Sequence, residues 1–120
     1  MNGNNNIFEK QKEFMLACSQ IVSETPRFNE ESGLWKDLIF EEFKELMNAG
    51  NLVEVASEAV DLIYVTVGLL NNLGVDGQKI FDAIHAANMK KLPIRKREDG
   101  KVLKPAGWQP ADVREIIYES

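Results

Sequence analysis

The sequence predicts an all-α fold, a four-helix bundle within a single domain, on three observations. The chain has 120 residues, of which 44% are hydrophobic and 28% charged, and this suits one ordinary domain core. Apolar residues recur at helical spacing in four segments, and glycine or proline residues follow each of them. The connections are short, which favours antiparallel neighbours in a bundle. We therefore expect one helical domain over residues 1–120, with a core at about 7–92 and a loop-rich tail at 93–120.

The first two helices are bounded by local signals. The first is predicted over residues 7–22, before the loop that contains Pro26. The second is predicted over about 34–47, with Ser32 as its N-cap and Gly50 just beyond its end.

The third helix is predicted from Asn51 to about residue 73. Glu54 stands three residues after Asn51 in a capping-box arrangement, and Gly74 closes the helix. Apolar residues cover nearly every side of it, so we expect it to be buried almost all round. Three other helices can hardly wrap a helix of about 22 residues, or ~33 Å. We therefore expect the chain to self-associate, as a homodimer or homotetramer.

The remaining segments follow the same logic. The fourth helix is predicted over residues 77–91, with Asp76 as its N-cap and Pro93 as its terminator. Residues 95–110 are rich in glycine, proline and lysine, which predicts a loop or a short hairpin. Residues 111–119 are predicted to form one last short helix.

Charge and cysteine content exclude several classes of protein. The net charge of −5 argues against general nucleic-acid binding. The single cysteine, Cys18, excludes an intramolecular disulfide framework and a cysteine-based zinc cluster, and we expect it in the core. No signal peptide is evident, and the longest charge-free apolar run, residues 62–75, is shorter than the about 20 residues that a membrane helix needs. We therefore expect a cytoplasmic protein without a membrane or nucleic-acid partner.

The charge is divided unevenly along the chain. Residues 1–82 hold 14 acidic and 6 basic side chains, or −8, whereas residues 83–120 hold 5 acidic and 8 basic side chains, or +3. Half of the basic residues fall in one short run: Lys90, Lys91, Arg95, Lys96, Arg97, Lys101 and Lys104. This run is either a solvated basic loop or an anion-binding site.

Two predicted helices carry carboxylates on faces that otherwise look buried. They are Glu41, Glu42 and Glu45 in the second helix, and Glu54, Glu58 and Asp61 in the third. Glu54 is already explained as a capping residue. Glu58 and Asp61 share one face of their helix. If the two helices pack antiparallel through Gly50, these faces meet and several carboxylates share a small volume.

Such a cluster is costly, because each ion removed from water loses on the order of several kcal/mol and like charges repel. Bound protons, lysine or arginine partners, or a divalent cation would neutralise it. The sequence offers no basic residue between Lys44 and Lys79. We favour a metal ion, and an all-oxygen ligand set suits Mg²⁺, with Mn²⁺ as a substitute. The alternative is that both helices expose these faces to solvent.

The order Glu41-Glu42-Phe-Lys-Glu45, then twelve residues, then Glu58-Ala-Val-Asp61 resembles the EExxE…ExxD signature of the MazG-like, all-α nucleoside triphosphate pyrophosphohydrolases. The segment 85–91 and the tail 99–113, which contains a KPxGW motif, extend the resemblance. It covers about residues 34–117. The branch that it indicates is similar to both phosphoribosyl-ATP pyrophosphohydrolases and dUTP-hydrolysing house-cleaning enzymes.

The resemblance implies Mg²⁺-dependent cleavage of a nucleoside triphosphate to the monophosphate and diphosphate, with dUTP as the best single guess for the substrate. It assigns metal binding to Glu42, Glu45, Glu58 and Asp61, and the positioning or deprotonation of the attacking water to Glu41. It implies phosphate contacts from Asn88 and Lys91, with Lys104 a similar candidate. Trp108 and Tyr64 are candidates to stack on the base, although Trp108 is equally expected to pack onto the bundle.

Three other interpretations stay open to different degrees. In the first, the fold and reaction are the same and the substrate is phosphoribosyl-ATP. In the second, the chain is a non-catalytic assembly protein whose acidic faces bind cations or a basic partner. The third is a carboxylate-bridged di-iron bundle, which expects two Glu-x-x-His pairs. The chain has one histidine, and this nearly excludes the di-iron protein.

Overall fold

A computed structural model describes residues 6–119. The helices in this part of the chain are α1 (Ile7–Ala17), α2 (Ser32–Asn48), α3 (Leu52–Leu73), α4 (Gly77–Met89) and α5 (Val113–Tyr118). The predicted all-α class is confirmed. Contacts divide the chain into an N-terminal unit that ends at Gly77 and a C-terminal unit that begins at Gln78. The single domain therefore stays a prediction, and each unit is described by itself.

α1 begins as predicted and ends five residues early. The Asn6 side chain caps its start by accepting a hydrogen bond from the backbone N–H of Glu9 (2.8 Å). Ser19 adopts φ 58°, and the backbone of Ile21 bonds to tertiary partners instead of continuing the helix. Cys18 lies at the C-cap and is exposed. The expectation of a buried cysteine is therefore wrong, because the helix ends before this side chain joins its apolar face.

α2 and α3 form an antiparallel hairpin with a short turn. The Asn51 side chain accepts a hydrogen bond from the N–H of Glu54 (2.9 Å), and the Glu54 carboxylate accepts one from the N–H of Gly50 (3.1 Å). Gly74 ends α3 in the left-handed conformation (φ 74°), which favours glycine. The predicted bounds of the third helix are confirmed, because both ends are set by local signals.

Ser32 is not the N-cap of α2, contrary to the prediction. It is the first helical residue, and its hydroxyl donates to Oδ1 of the fully buried Asn72 (2.7 Å). Nδ2 of Asn72 donates in turn to the carbonyl of Ile21 (3.1 Å) and to Oδ1 of Asn29 (2.9 Å). The Ser32 hydroxyl therefore bonds to Asn72 instead of capping α2. Through these hydrogen bonds Asn72 connects the α1–α2 loop to the end of α3.

The core of the N-terminal unit lies at the C-terminal half of α3. Met15, Trp35 and Val67 are buried there. Gly68 lies directly against the indole of Trp35, where an added Cβ would come within 2.3 Å of Cζ3. A side chain at this position would overpack the site, so the close approach of α2 and α3 depends on glycine.

The near-complete burial predicted for the third helix is not found in the described part of the N-terminal unit. α1 has 11 residues and α3 has 22, so α1 covers only half of the length of α3. Toward the N-terminus of α3, Val53 is 78% exposed and Val60 is 61% exposed. The apolar residues that led to the prediction are present, and α1 and α2 leave those in the N-terminal half of α3 exposed.

The C-terminal unit contains most of α4, a short hairpin and α5. α4 ends at Met89, two residues before its predicted end, in a turn where the N–H of Lys91 donates to the carbonyl of Asn88 (3.0 Å). An antiparallel bridge joins Lys96 to Val102. The predicted loop or short hairpin over 95–110 is therefore confirmed. Within the described residues, every helix is too short or too polar to cross a membrane.

Candidate functional site

The α2–α3 hairpin brings carboxylates from both helices together. One oxygen atom from each of Glu42, Glu58 and Asp61 lies within 4.8 Å of the others. Glu58 and Asp61 lie about one turn apart on α3, and the antiparallel packing places Glu42 opposite them. Glu42 and Glu58 are partly buried and Asp61 is exposed. The cluster is therefore a partly dry site that solvent reaches beside Asp61.

Glu45 joins this cluster from α2. It lies about one turn after Glu42, and its negative charge helps to raise the pKa of both Glu42 and Glu58. Like charges at short range disfavour ionisation unless a proton or a cation is bound. The structure thus brings the oxygen atoms of three of these residues into one group, with Glu45 close enough to affect the ionisation of two of them, and metal binding by the four stays a prediction.

The cluster shifts the ionisation of its members. Burial, contact with Glu45 and the charges of Asp61 and Glu58 raise the pKa of Glu42 from 4.5 to about 7. Burial and the charge of Glu45 also raise the pKa of Glu58. Both effects disfavour the charged form of a carboxylate. The site is therefore under electrostatic stress at neutral pH unless a proton or a cation relieves it.

Two oxygen atoms of the cluster lack a hydrogen-bond partner. Oε1 of Glu42 and Oε1 of Glu58 are buried without a hydrogen bond. Neither ion pair found between described side chains involves the cluster, so lysine or arginine does not neutralise it in the described part of the chain. Buried carboxylate oxygens without donors are costly. An all-oxygen set of this kind fits a hard divalent cation such as Mg²⁺.

Glu41 and Tyr64 lie beside the cluster rather than in it. Glu41 is exposed on α2 and outside the group of oxygen atoms that meet. Tyr64 follows Asp61 on α3, and its ring packs edge-on against Phe14 of α1, with 6.0 Å between centroids. Burial, Cys18 and Glu13 raise the pKa of the Tyr64 phenol. Tyr64 thus belongs to the contact between α1 and α3.

The predicted phosphate contacts and one of the two predicted base contacts, Trp108, lie in the C-terminal unit. Trp108 Nε1 donates to the carbonyl of Ala87 (2.6 Å), so the indole packs on the end of α4. The ammonium groups of Lys91 and Lys104 lie 4.8 and 5.4 Å from the centroid of its ring. Asn88 follows Ala87 and is exposed. The packing expected for Trp108 is found, and a base contact stays a prediction.

Sequence reasoning passed over two buried polar groups. Nε2 of Gln11 and Nε1 of Trp35 are buried without a hydrogen bond, and both side chains lie against Gly68. The signal was available for Gln11, because it falls four residues from Ile7 and from Met15 on one face of α1. Trp35 gives no such signal, since its apolar ring explains its burial.

Comparison with known families adds an independent observation. A family model described as phosphoribosyl-ATP pyrophosphohydrolase matches residues 9–88, about two thirds of the chain. The match contains α2 and α3 with all four clustered carboxylates, and it ends before Lys91 and the tail. No curated protein matches the chain.

Proposed function

The chain belongs to the phosphoribosyl-ATP pyrophosphohydrolase family, within the MazG-like all-α superfamily, and from this premise we propose the reaction and its residues. A pyrophosphohydrolase acts on phosphoric anhydride bonds. We propose Mg²⁺-dependent hydrolysis of the triphosphate of a nucleotide to the monophosphate and diphosphate. The observation that carries this proposal is the pair of buried, unpartnered oxygen atoms on Glu42 and Glu58 within one carboxylate cluster.

The clustered carboxylates Glu42, Glu45, Glu58 and Asp61 are the proposed ligands of the cation. When bound, a divalent cation neutralises charge on the phosphate oxygens and acidifies water. Glu41 lies on the solvent side of α2 next to this cluster, and its proposed role is to orient the attacking water and accept its proton. Asn88, Lys91 and Lys104 are the proposed phosphate contacts, because amide and ammonium donors suit phosphate oxygens.

Two substrates follow from different observations. The matched family model favours phosphoribosyl-ATP. The segments 85–91 and 99–113, most of which lie beyond the match, resemble a branch similar to both phosphoribosyl-ATP pyrophosphohydrolases and dUTP-hydrolysing enzymes, and this keeps dUTP as a candidate. Both molecules carry a triphosphate and yield diphosphate. We place phosphoribosyl-ATP first and dUTP second, each as a substrate from the cytoplasmic nucleotide pool.

The test is release of diphosphate and orthophosphate from phosphoribosyl-ATP, dUTP and the common ribo- and deoxynucleoside triphosphates, with excess Mg²⁺ and again with EDTA. We expect diphosphate release that needs the cation and favours one substrate. Glu58→Gln should be inactive, whereas Glu54→Gln on the same helix should be active, because Glu54 serves as a cap outside the cluster. Release of orthophosphate alone, or of nothing from any substrate, would contradict the proposal.

The proposed assembly is a homodimer or homotetramer. Val53, Ala56, Val60 and Ile63 form an exposed apolar stripe on α3 at the three- and four-residue spacing of a helical seam. Val67, the next position at this spacing, is buried. Light scattering after size exclusion should show a wild-type oligomer and a Val60→Lys monomer, with Thr66→Lys, which is exposed outside the stripe, as the control. A monomeric wild type would contradict this assembly.

A further inference from the structure

Trp108 is placed by a tight turn in the tail. Its backbone N–H donates to the carbonyl of Pro105 (3.1 Å), and Gly107 between them has φ 77°. These are the features of a type II turn, whose third position favours glycine. The turn directs the indole to the end of α4, where Nε1 donates to Ala87. The KPxGW motif therefore serves to fix the position of one aromatic ring.

The indole ring of Trp108 contacts two lysine ammonium groups. The ammonium groups of Lys91 and Lys104 both lie within the distance of a cation–π contact with the indole. Sharing one ring brings them within about 10 Å of each other, where like charges repel. Neither ion pair found among the described side chains involves them. Two lysines that lie 13 residues apart in the sequence thus contact one ring, and neither is paired with a carboxylate among the described side chains.

We propose that Trp108 is a positioning residue, which holds the ammonium groups of Lys91 and Lys104 ready to bind one di- or triphosphate group. This inference rests on the proposed function and deepens it. A lysine ammonium is a compact charge that suits a phosphate oxygen. Fixing two flexible lysines before the anion arrives reduces the entropy lost on binding. Because the ammonium groups contact the ring, we expect Trp108 to position the lysines rather than to stack on the base.

The first experiment measures binding of inorganic pyrophosphate to the full chain in metal-free buffer by ¹⁹F NMR of 5-fluorotryptophan. We expect a saturable shift of the Trp108 resonance, while the resonance of Trp35, which is 3% exposed in the N-terminal unit, stays in place. Lys91→Ala and Lys104→Ala should each weaken binding about tenfold. Lys101→Ala removes the same charge from the same tail and should leave the affinity within about twofold. Equal losses in all three variants would overturn the proposal.

The second experiment separates the ring from its hydrogen bond, using calorimetry with pyrophosphate. Trp108→Leu removes the π face and should weaken binding about tenfold, although position 108 does not touch the anion. Trp108→Phe keeps a ring without Nε1–H and should retain most of the affinity. Equal losses in both variants would assign Trp108 a purely structural role. Unchanged pyrophosphate binding with a raised KM for the nucleotide would assign it to the base, and either result overturns the inference.

These measurements need no turnover, so the two proposals fail separately. A chain that binds pyrophosphate through Trp108 and hydrolyses no nucleotide would refute the proposed function and support this inference. A chain that releases diphosphate, with unaltered pyrophosphate binding in Trp108→Leu, would refute this inference alone.

Discussion

The two halves of α3 differ in whether their buried polar side chains have hydrogen-bond partners. In the C-terminal half, Asn72 is fully buried, and its amide bonds to the backbone of Ile21 and to the side chains of Asn29 and Ser32. In the N-terminal half, Glu58 has a buried oxygen atom without a partner, among other carboxylates. In one helix, therefore, the buried amide of Asn72 has its hydrogen-bond partners, whereas a buried oxygen atom of Glu58 has none.

The difference separates stability from function. A buried polar group with all its partners fixes the fold, and its loss leaves other groups unpaired. A buried carboxylate beside like charges lowers the stability of the ligand-free protein, and such perturbed groups concentrate at functional sites. Substitutions in the N-terminal half should therefore affect turnover, and substitutions in the C-terminal half should affect stability.

The largest expected effect is on turnover. Glu42→Gln and Asp61→Asn should abolish diphosphate release, a loss of at least about a thousandfold, because each removes a proposed ligand of the cation. The helical circular dichroism should be unchanged, since each substitution also relieves like-charge repulsion. Full activity in either variant, or loss of the helical signal, would contradict a functional role for the carboxylates in the N-terminal half of α3.

The next effect is on folding. Asn72→Ala should lower the free energy of unfolding by about 2–4 kcal/mol, because it leaves the Ser32 hydroxyl and the Ile21 carbonyl without their partner. Urea denaturation measures this change, and activity per folded molecule should stay near wild type. Thr66→Ala, an exposed change on α3, is the control and should cost less than about 0.5 kcal/mol. A folded Asn72→Ala chain without activity would assign this half of α3 to the site as well.

The sequence predicted what depends on neighbours along the chain. Asn51 and Gly74 fix the ends of α3, and helical spacing alone brings Glu58 and Asp61 to one face. It could not predict the role of Ser32, because the partner of its hydroxyl lies 40 residues away. It also missed the end of α1, where tertiary bonds to the backbone of Ile21 replace further helical ones.

The candidate site divides in the same way. Its acidic part was predictable because a short hairpin leaves two helices little freedom in how their faces meet. The pairing of Lys91 and Lys104 on Trp108 was not predictable as geometry, since it depends on a turn and a hairpin between them. Long-range contacts of this kind are set by the tertiary fold rather than by local sequence.

A smaller change in stability is expected where Gly68 of α3 packs against Trp35 of α2. Gly68→Ala should cost about 1–3 kcal/mol by overpacking, because its Cβ would lie 2.3 Å from Trp35 Cζ3 and 2.7 Å from Gln11 Nε2. Gly33→Ala on α2 is the matched control. Its Cβ meets nothing within 4 Å, so it should stabilise the helix by up to about 1 kcal/mol. Similar values for both, from urea denaturation, would show that this contact is not tight.

The smallest expected effect is a dependence of stability on pH and Mg²⁺. The pKa of Glu42 is raised from 4.5 to about 7 in the folded chain, so the folded state keeps a proton that the unfolded state releases. Stability from this group is complete below pH 4.5 and is lost as the pH rises toward 7. The pKa of Asp99 is lowered by Arg97, and its contribution is lost only as the pH falls below 4. The thermal midpoint of the metal-free protein should therefore fall by several degrees between pH 5 and pH 8.

Mg²⁺ should reverse this fall at pH 8 and change little at pH 5, because protons and the cation compete for the same oxygen atoms. Glu42→Gln removes the titrating group and should flatten the pH dependence, whereas Glu54→Gln, outside the cluster, should keep it. Differential scanning calorimetry at the two pH values, with Mg²⁺ and with EDTA, measures all four conditions. An equal stabilisation by Mg²⁺ at both pH values, or an unchanged pH dependence in Glu42→Gln, would show that the stress in the N-terminal half of α3 has another source. Repulsion between carboxylates would then not explain why the N-terminal half of α3 differs from the half that contains Asn72.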